Sequence, residues 1–248
     1  MMGGNPSALL QSNTNSLYNA VMVRATTVGS LVELTEEQWG LFTRRQAEAI
    51  GMAWTTLSRL SRTGWAERVA HGVYRLRGAP PVDHLVLRSA WLQLAPEVDV
   101  WVRTLDQGVV SHRSAAEIYG LGHLTADVHE FTLPSRKQSR RPDVRLHRAR
   151  LMESECANVG GLLVTRPART AADLLADREA PDAVAQVIAD SIRSGSGNPG
   201  DIAQAISPSA ARFGLREGDG LDLLDLLLDL TGDPGRASWL DQARRQAR

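Results

Sequence analysis

Between residues 35 and 79 glycines punctuate the chain so closely that only short helices and one tight hairpin fit between them. Thr43 stands three residues before Gln46, the spacing of a capping box, and predicts a helix from Arg44 to Ile50 closed by Gly51. Thr35 and Gln38 repeat the spacing and predict an earlier helix that starts there. A third helix runs from Trp54 to Thr63 and ends at Gly64. Ala53, Leu57 and Leu60 fall on one face of it; Thr55, Ser58, Arg59 and Arg62 fall on the other. Trp65–Ala70 and Val73–Arg77 then flank His71-Gly72, a hairpin signal. Short helix, helix, tight turn, helix and hairpin is the order of a winged helix-turn-helix. Trp39, Trp54 and Trp65 are read as core residues of this module.

Charge singles out the same stretch. The 248-residue chain has 28 basic and 28 acidic residues, yet between Gly40 and Gly78 seven arginines face only Glu48 and Glu67. Uneven charge of this kind lets a neutral chain hold a polyanion. Arg59 and Arg62 are placed to meet base edges, with Thr55, Thr56 and Ser58 beside them for phosphates or edges. Arg44 and Arg45 open a helix, where free N–H groups also favour phosphate. Arg68, His71 and Arg75 sit where a wing would approach the backbone or minor groove. Together these ten residues are the expected contact set for double-stranded DNA. A second basic stretch holds Arg136, Lys137, Arg140, Arg141, Arg145 and Arg148. It reads equally as another phosphate-contacting surface or as an exposed loop and edge strand protected by charge.

The remaining features exclude more than they assign. The single cysteine, Cys156, allows no internal disulfide and fits a reducing cytoplasm. The six histidines show no i, i+4 pair, so neither metal ligands nor a cofactor are assigned. No apolar run is long enough to span a membrane, and the N-terminus lacks the features of a signal peptide. Residues 1–34 are expected to be a disordered tail. Gly78-Ala79-Pro80-Pro81 is a breaker that closes a 35–79 domain. Residues 82–248 form the second domain, mixed α/β over 82–178 and helical over 179–248. Ser111 next to His112 invites a hydrolase reading, but neighbouring helical residues diverge and no nucleophile elbow is present. Ser111 or Ser114 is read as a helix cap instead. Arg169 is expected to pair with Asp173 one helical turn on. The fold class is thus α+β: a winged helix-turn-helix, then a mixed α/β domain with a helical C-terminal part.

Four ordered stretches carry a resemblance. They are Phe42-Thr43-Arg44-Arg45-Gln46-Ala47; Gly72-Val73-Tyr74-Arg75-Leu76; Val110-Ser111-His112-Arg113-Ser114-Ala115-Ala116 with Gly120-Leu121; and Thr165-Arg166-Pro167-Ala168-Arg169-Thr170 with Asp173-Leu174-Leu175. Together they resemble the AbiEi antitoxins of bacterial type IV toxin–antitoxin systems. The resemblance implies a cytoplasmic, non-enzymatic regulator that represses its own operon at inverted repeats, two copies on a palindromic site. It also implies a second domain that counteracts a nucleotidyltransferase-like toxin, with or without touching it. A related group ends instead in a restriction-endonuclease-like nuclease, which needs acidic residues on paired strands to hold a divalent metal. Past Asp177 the sequence predicts helices, which argues against that alternative. A transcription factor without a toxin partner is the other alternative.

Overall fold

The computed structural model describes residues 27–246. These divide into two units, with the boundary between Val102 and Arg103. Residues 82–102, grouped from sequence with the second domain, belong to the first unit.

The first unit opens with a helix over residues 27–36 (α1). This corrects the expected tail: Leu31 and Leu34 are buried, so an amphipathic turn gains more from burial than from disorder. Residues 1–26 of that expectation lie outside the described residues. Thr35 ends this helix rather than starting one. Its hydroxyl donates back to the Leu31 and Val32 carbonyls, an interaction that competes with capping. Strand β1 (Leu41–Thr43) follows, then α2 (Arg44–Ala49), α3 (Trp54–Arg62), β2 (Ala66–Ala70) and β3 (Val73–Leu76). β3 pairs antiparallel with both β1 and β2, giving a three-stranded sheet in the order β1-β3-β2. Gly40 has φ +75°, and a Cβ there would lie 2.2 Å from that of Ala79, so only glycine permits this approach. The core gathers Leu31, Phe42, Ala47, Met52, Leu57, Ala66 and Tyr74. Helix α4 (Leu85–Leu94) adds Leu92 to a second cluster with Leu41 and Val73.

A polar network ties these pieces together. Thr43 caps α2, accepting from the Gln46 N–H, while Gln46 Oε1 accepts from the Thr43 N–H at 2.9 Å. The predicted capping box is present at this position. Gln46 also exchanges both amide bonds with Gln38, at 2.9 and 3.0 Å, and donates to Asp99 at 2.8 Å. Gln38 Oε1 accepts from the Val100 N–H. Both amides are buried.

The second unit holds a five-stranded mixed sheet in the order β6-β5-β4-β8-β7. Its strands are β4 (Val109–Val110), β5 (His129–Leu133), β6 (Val144–Arg148), β7 (Cys156–Val159) and β8 (Leu162–Thr165). Helices α5 (His112–Tyr119) and α6 (Pro167–Ala176) accompany it. Beyond lie α7 (Pro181–Arg193), α8 (Pro199–Ile206), a 3-10 segment (Ser207–Phe213), α9 (Gly220–Thr231) and α10 (Arg236–Gln246). Leu174, Val184, Ile188, Ile202, Leu223 and Leu227 form the core of this helical part. A Cβ at Gly220 would meet the Ala203 carbonyl at 1.9 Å, so α9 can start against α8 only at a glycine. The acidic face of α9 is met from α10: Arg236 bonds Asp225 at 2.6 Å and also Asp229.

Buried Glu130, on β5, organises the polar side of this sheet. Its carboxylate accepts from the Arg113 N–H at 3.0 Å, so a distant carboxylate caps α5. Ser111 occupies the N-cap position, but its side chain makes no capping bond and pairs with His112 Nδ1 and the Thr132 hydroxyl. Ser114 is likewise no cap; its hydroxyl accepts from the Glu130 N–H. Glu130 Oε1 also lies 3.2 Å from His147 Nε2. Burial works against this carboxylate, yet the His147 bond and the Arg113 N–H hold it below the usual glutamate range. Burial, then the nearby His147, push His112 down from 6.5 to about 4.

Gln46→Ala leaves the Gln38 amide buried without its partner and should cost about 1–3 kcal/mol in urea unfolding. The Gln38→Ala/Gln46→Ala double variant should lose clearly less than the sum of the single losses. His112 is neutral in the folded chain while the unfolded chain takes its proton near pH 6.5, so the second unit should lose stability as pH falls from 6.5 to about 4. Thermal melts in EDTA buffer should show this fall, and His112→Asn should flatten it.

Candidate nucleic-acid interface

Helix α3 buries one side only. Leu57 enters the core, while Thr55, Ser58, Arg59 and Arg62 are exposed and Thr56 is half-buried. The division follows from the 3.6-residue repeat read in the sequence. Among the described residues α3 has no acidic side chain in its first turn, and Arg59 and Arg62 occupy its last. Among the described residues neither guanidinium joins an ion pair.

Arg44 and Arg45 are exposed on α2, but not unopposed. Arg44 Nε lies 2.7 Å from Glu48, and Arg45 approaches the same carboxylate at 4.0 Å. At such exposure these pairs contribute little and are easily exchanged. The Arg44 guanidinium lies 4.5 Å from the centre of the Trp54 ring, the first residue of α3. Trp54 is 48% exposed and Trp65, just past α3, is 66% exposed. Their assignment to the core is therefore corrected. Trp54 opens α3 and Trp65 lies three residues past its end, and neither enters the core. Trp39 is half-buried, with Arg88 stacked 4.3 Å from its ring centre.

The hairpin is short and tethered. Arg44 N–H donates to the Gly72 carbonyl at 2.8 Å, and the Gln93 amide of α4 donates to the His71 carbonyl at 2.7 Å. The tip thus abuts the start of α2, and Arg44, Arg45, His71 and Gln93 border a cleft of about 400 Å³. Arg68 and His71 are both exposed, with Arg68 donating to His71 Nδ1 at 3.0 Å. Arg75 departs from the group. Its guanidinium donates to the Ala79 and Pro80 carbonyls, at 2.8 and 2.6 Å, which ties the strand to the breaker. Arg77 was not in the expected set, yet it is exposed beside Trp65, whose carbonyl accepts its N–H. It follows β3 as the last arginine of the basic 40–78 stretch, and that charge run is the signal that includes it.

In the second basic stretch, Arg136, Lys137, Arg140 and Arg148 are exposed. Arg141 is held by Asp143, and Arg145 lies 3.5 Å from Glu130. Past Asp177 the described residues are helices, turns and loops, without a strand pair. No helix of the described residues is long and apolar enough to cross a membrane.

A three-stranded sheet, an exposed basic helix and a tethered hairpin place the N-terminal module in the winged helix-turn-helix class. Comparison narrows the class: residues 30–77 match the family model described as transcriptional regulator, AbiEi antitoxin. Over these residues the module is thus similar to transcriptional regulators of the AbiEi type. No curated protein shows a significant match. Among solved structures, the RV2827C protein from Mycobacterium tuberculosis aligns at 16% identity with a TM-score of 0.49, over 85% of this chain and 78% of that one.

Because Arg75 bonds the chain's own carbonyls, Arg75→Ala should lower thermal stability and leave duplex affinity within about twofold of wild type. Fluorescence anisotropy with a labelled duplex measures the second quantity.

Proposed function

We propose that the chain is an antitoxin and autorepressor of a type IV toxin–antitoxin pair in the bacterial cytoplasm, and not an enzyme. The observation that carries the reading is the outward face of α3, with Thr55, Ser58, Arg59 and Arg62 exposed within the segment matched to an antitoxin regulator. In this reading α3 enters the major groove and Arg59 and Arg62 meet base edges, guanine above all. Arg44, Arg45, Arg68 and His71 hold phosphates. Trp54 keeps the Arg44 guanidinium at the leading end of the helix. Two copies bind the inverted repeats of the operator.

The second unit counteracts a nucleotidyltransferase-like toxin, and the exposed cations of the 136–148 stretch offer it a further phosphate-contacting surface. Physical contact with the toxin is not required by this reading.

The test is a gel shift against the promoter region of the chain's own operon. Arg59→Ala should weaken specific binding by about 1–3 kcal/mol and relax sequence preference at one position. Arg45→Ala should weaken all duplexes alike and lower the salt slope by about one unit. Equal binding by wild type and Arg59→Ala would remove the basis of the assignment. Co-expression with the neighbouring gene product should rescue growth if that product is the toxin.

A further inference from the structure

Three side chains far apart in sequence meet on the polar side of the second sheet. The donor atoms of His112, His147 and Asp177 all lie within 4.8 Å of one another. From these we infer a binding site for a divalent transition-metal ion of the zinc type, held by two imidazoles and one carboxylate. The inference concerns the second unit and stands apart from the DNA-binding reading.

The hydrogen bonds leave the right atoms available. Ser111 Oγ engages His112 Nδ1 at 2.9 Å, which leaves Nε2. Glu130 engages His147 Nε2 at 3.2 Å, which leaves Nδ1, and that nitrogen lies 4.0 Å from Asp177 Oδ2. Each imidazole thus has its far nitrogen fixed by an oxygen partner, the arrangement that orients metal-bound histidines. Two imidazoles with a carboxylate suit zinc, with a fourth position open to water.

The surroundings favour a cation there. Asp177 caps the C-terminal end of α6, where the backbone carbonyls concentrate negative charge. Asp173 precedes it by one turn on the same face. It is itself buried, and its Oδ2 has no hydrogen-bond partner although Oδ1 is held by Arg169 at 2.8 Å. A buried carboxylate oxygen left without a partner is costly, and a nearby cation offsets that cost. Arg145, 3.9 Å from Asp177 and 60% exposed, is the only cation within ion-pair distance of that carboxylate among the described residues. It can swing into solvent as an ion enters.

His112 is also held in an uncommon backbone state. Its φ is +55°, in the left-handed region, where a residue with a Cβ is strained. That conformation turns the imidazole inward onto the His147 ring, with centroids 3.5 Å apart and planes within 13°. Observed strain of this kind concentrates at functional positions. Near-parallel rings must splay for both lone pairs to converge, and the donors must close to about 3.3–3.4 Å for tetrahedral zinc. An ion would then join α5, β6 and the end of α6.

The full chain, stripped with EDTA and dialysed, is titrated with zinc and read by metal analysis and thermal melting. Wild type should retain one zinc per chain and melt higher with the ion than without it. Asp177→Asn, at an exposed helix end, should keep the native circular dichroism and bind at least tenfold more weakly. Glu130→Gln should weaken binding 10–100-fold through His147. His123→Gln, at an exposed histidine outside the cluster, should bind as wild type. Cobalt substitution should give visible d–d absorption that Asp177→Asn abolishes. Failure of wild type to retain zinc, or wild-type affinity in folded Asp177→Asn, overturns the proposal. Neither result bears on duplex binding by α3.

Discussion

The reciprocal amide pair of Gln38 and Gln46 fixes the first unit. Each side chain donates to the other, and their remaining capacity reaches the Leu41 carbonyl, the Thr43 N–H, Asp99 and the Val100 N–H. Four segments of chain, the turn at Gln38, β1, α2 and residues 99–100, are thereby held by two buried side chains. Apolar packing around Phe42 and Leu57 supplies the larger energy, but it is non-directional. The amides supply direction: a shifted strand or helix would leave buried donors and acceptors unmatched. The angle at which α2 leaves β1, and so the place where α3 emerges, follows from this network.

In the second unit Glu130 plays the corresponding part with a full charge. A buried carboxylate is tolerated only when hydrogen bonds and counter-charges surround it. Arg113 N–H, His147 and Arg145 provide them. Because parallel pairing sets Glu130 against Arg145 and Thr132 against His147, the sheet register itself assembles the polar cluster. A one-residue slip of β6 would turn Arg145 and His147 to the opposite face, away from Glu130 and Thr132.

Local signals were legible in the sequence, and long-range ones were not. The Thr43 box, the glycine-closed helices, the hairpin and the i, i+4 pair of Arg169 with Asp173 each depend on neighbours within a few residues. The face of α3 was readable for the same reason, since its period is intrinsic to the helix. Thr35 misled because a hydroxyl three residues before Gln can bond backward as readily as it caps. Trp54 and Trp65 misled because hydrophobicity predicts burial only where the fold provides a pocket. Arg75 had no local mark of its bonds to Ala79 and Pro80. Nothing near Ser111 suggested that a carboxylate on another strand would cap α5. The meeting of His112, His147 and Asp177 depends on sheet register and on where α6 ends, which no periodicity encodes.

The Gln93 bond to the His71 carbonyl has a kinetic and entropic side. A free hairpin tip samples many conformations and must be frozen whenever something settles against it. Here the amide of a neighbouring helix and the first N–H of α2 have already removed that freedom during folding. Whatever docks along this edge meets a rigid surface and forfeits little disorder in doing so. Such a surface discriminates by shape at first contact, and it has little capacity to adapt to a partner that fits badly.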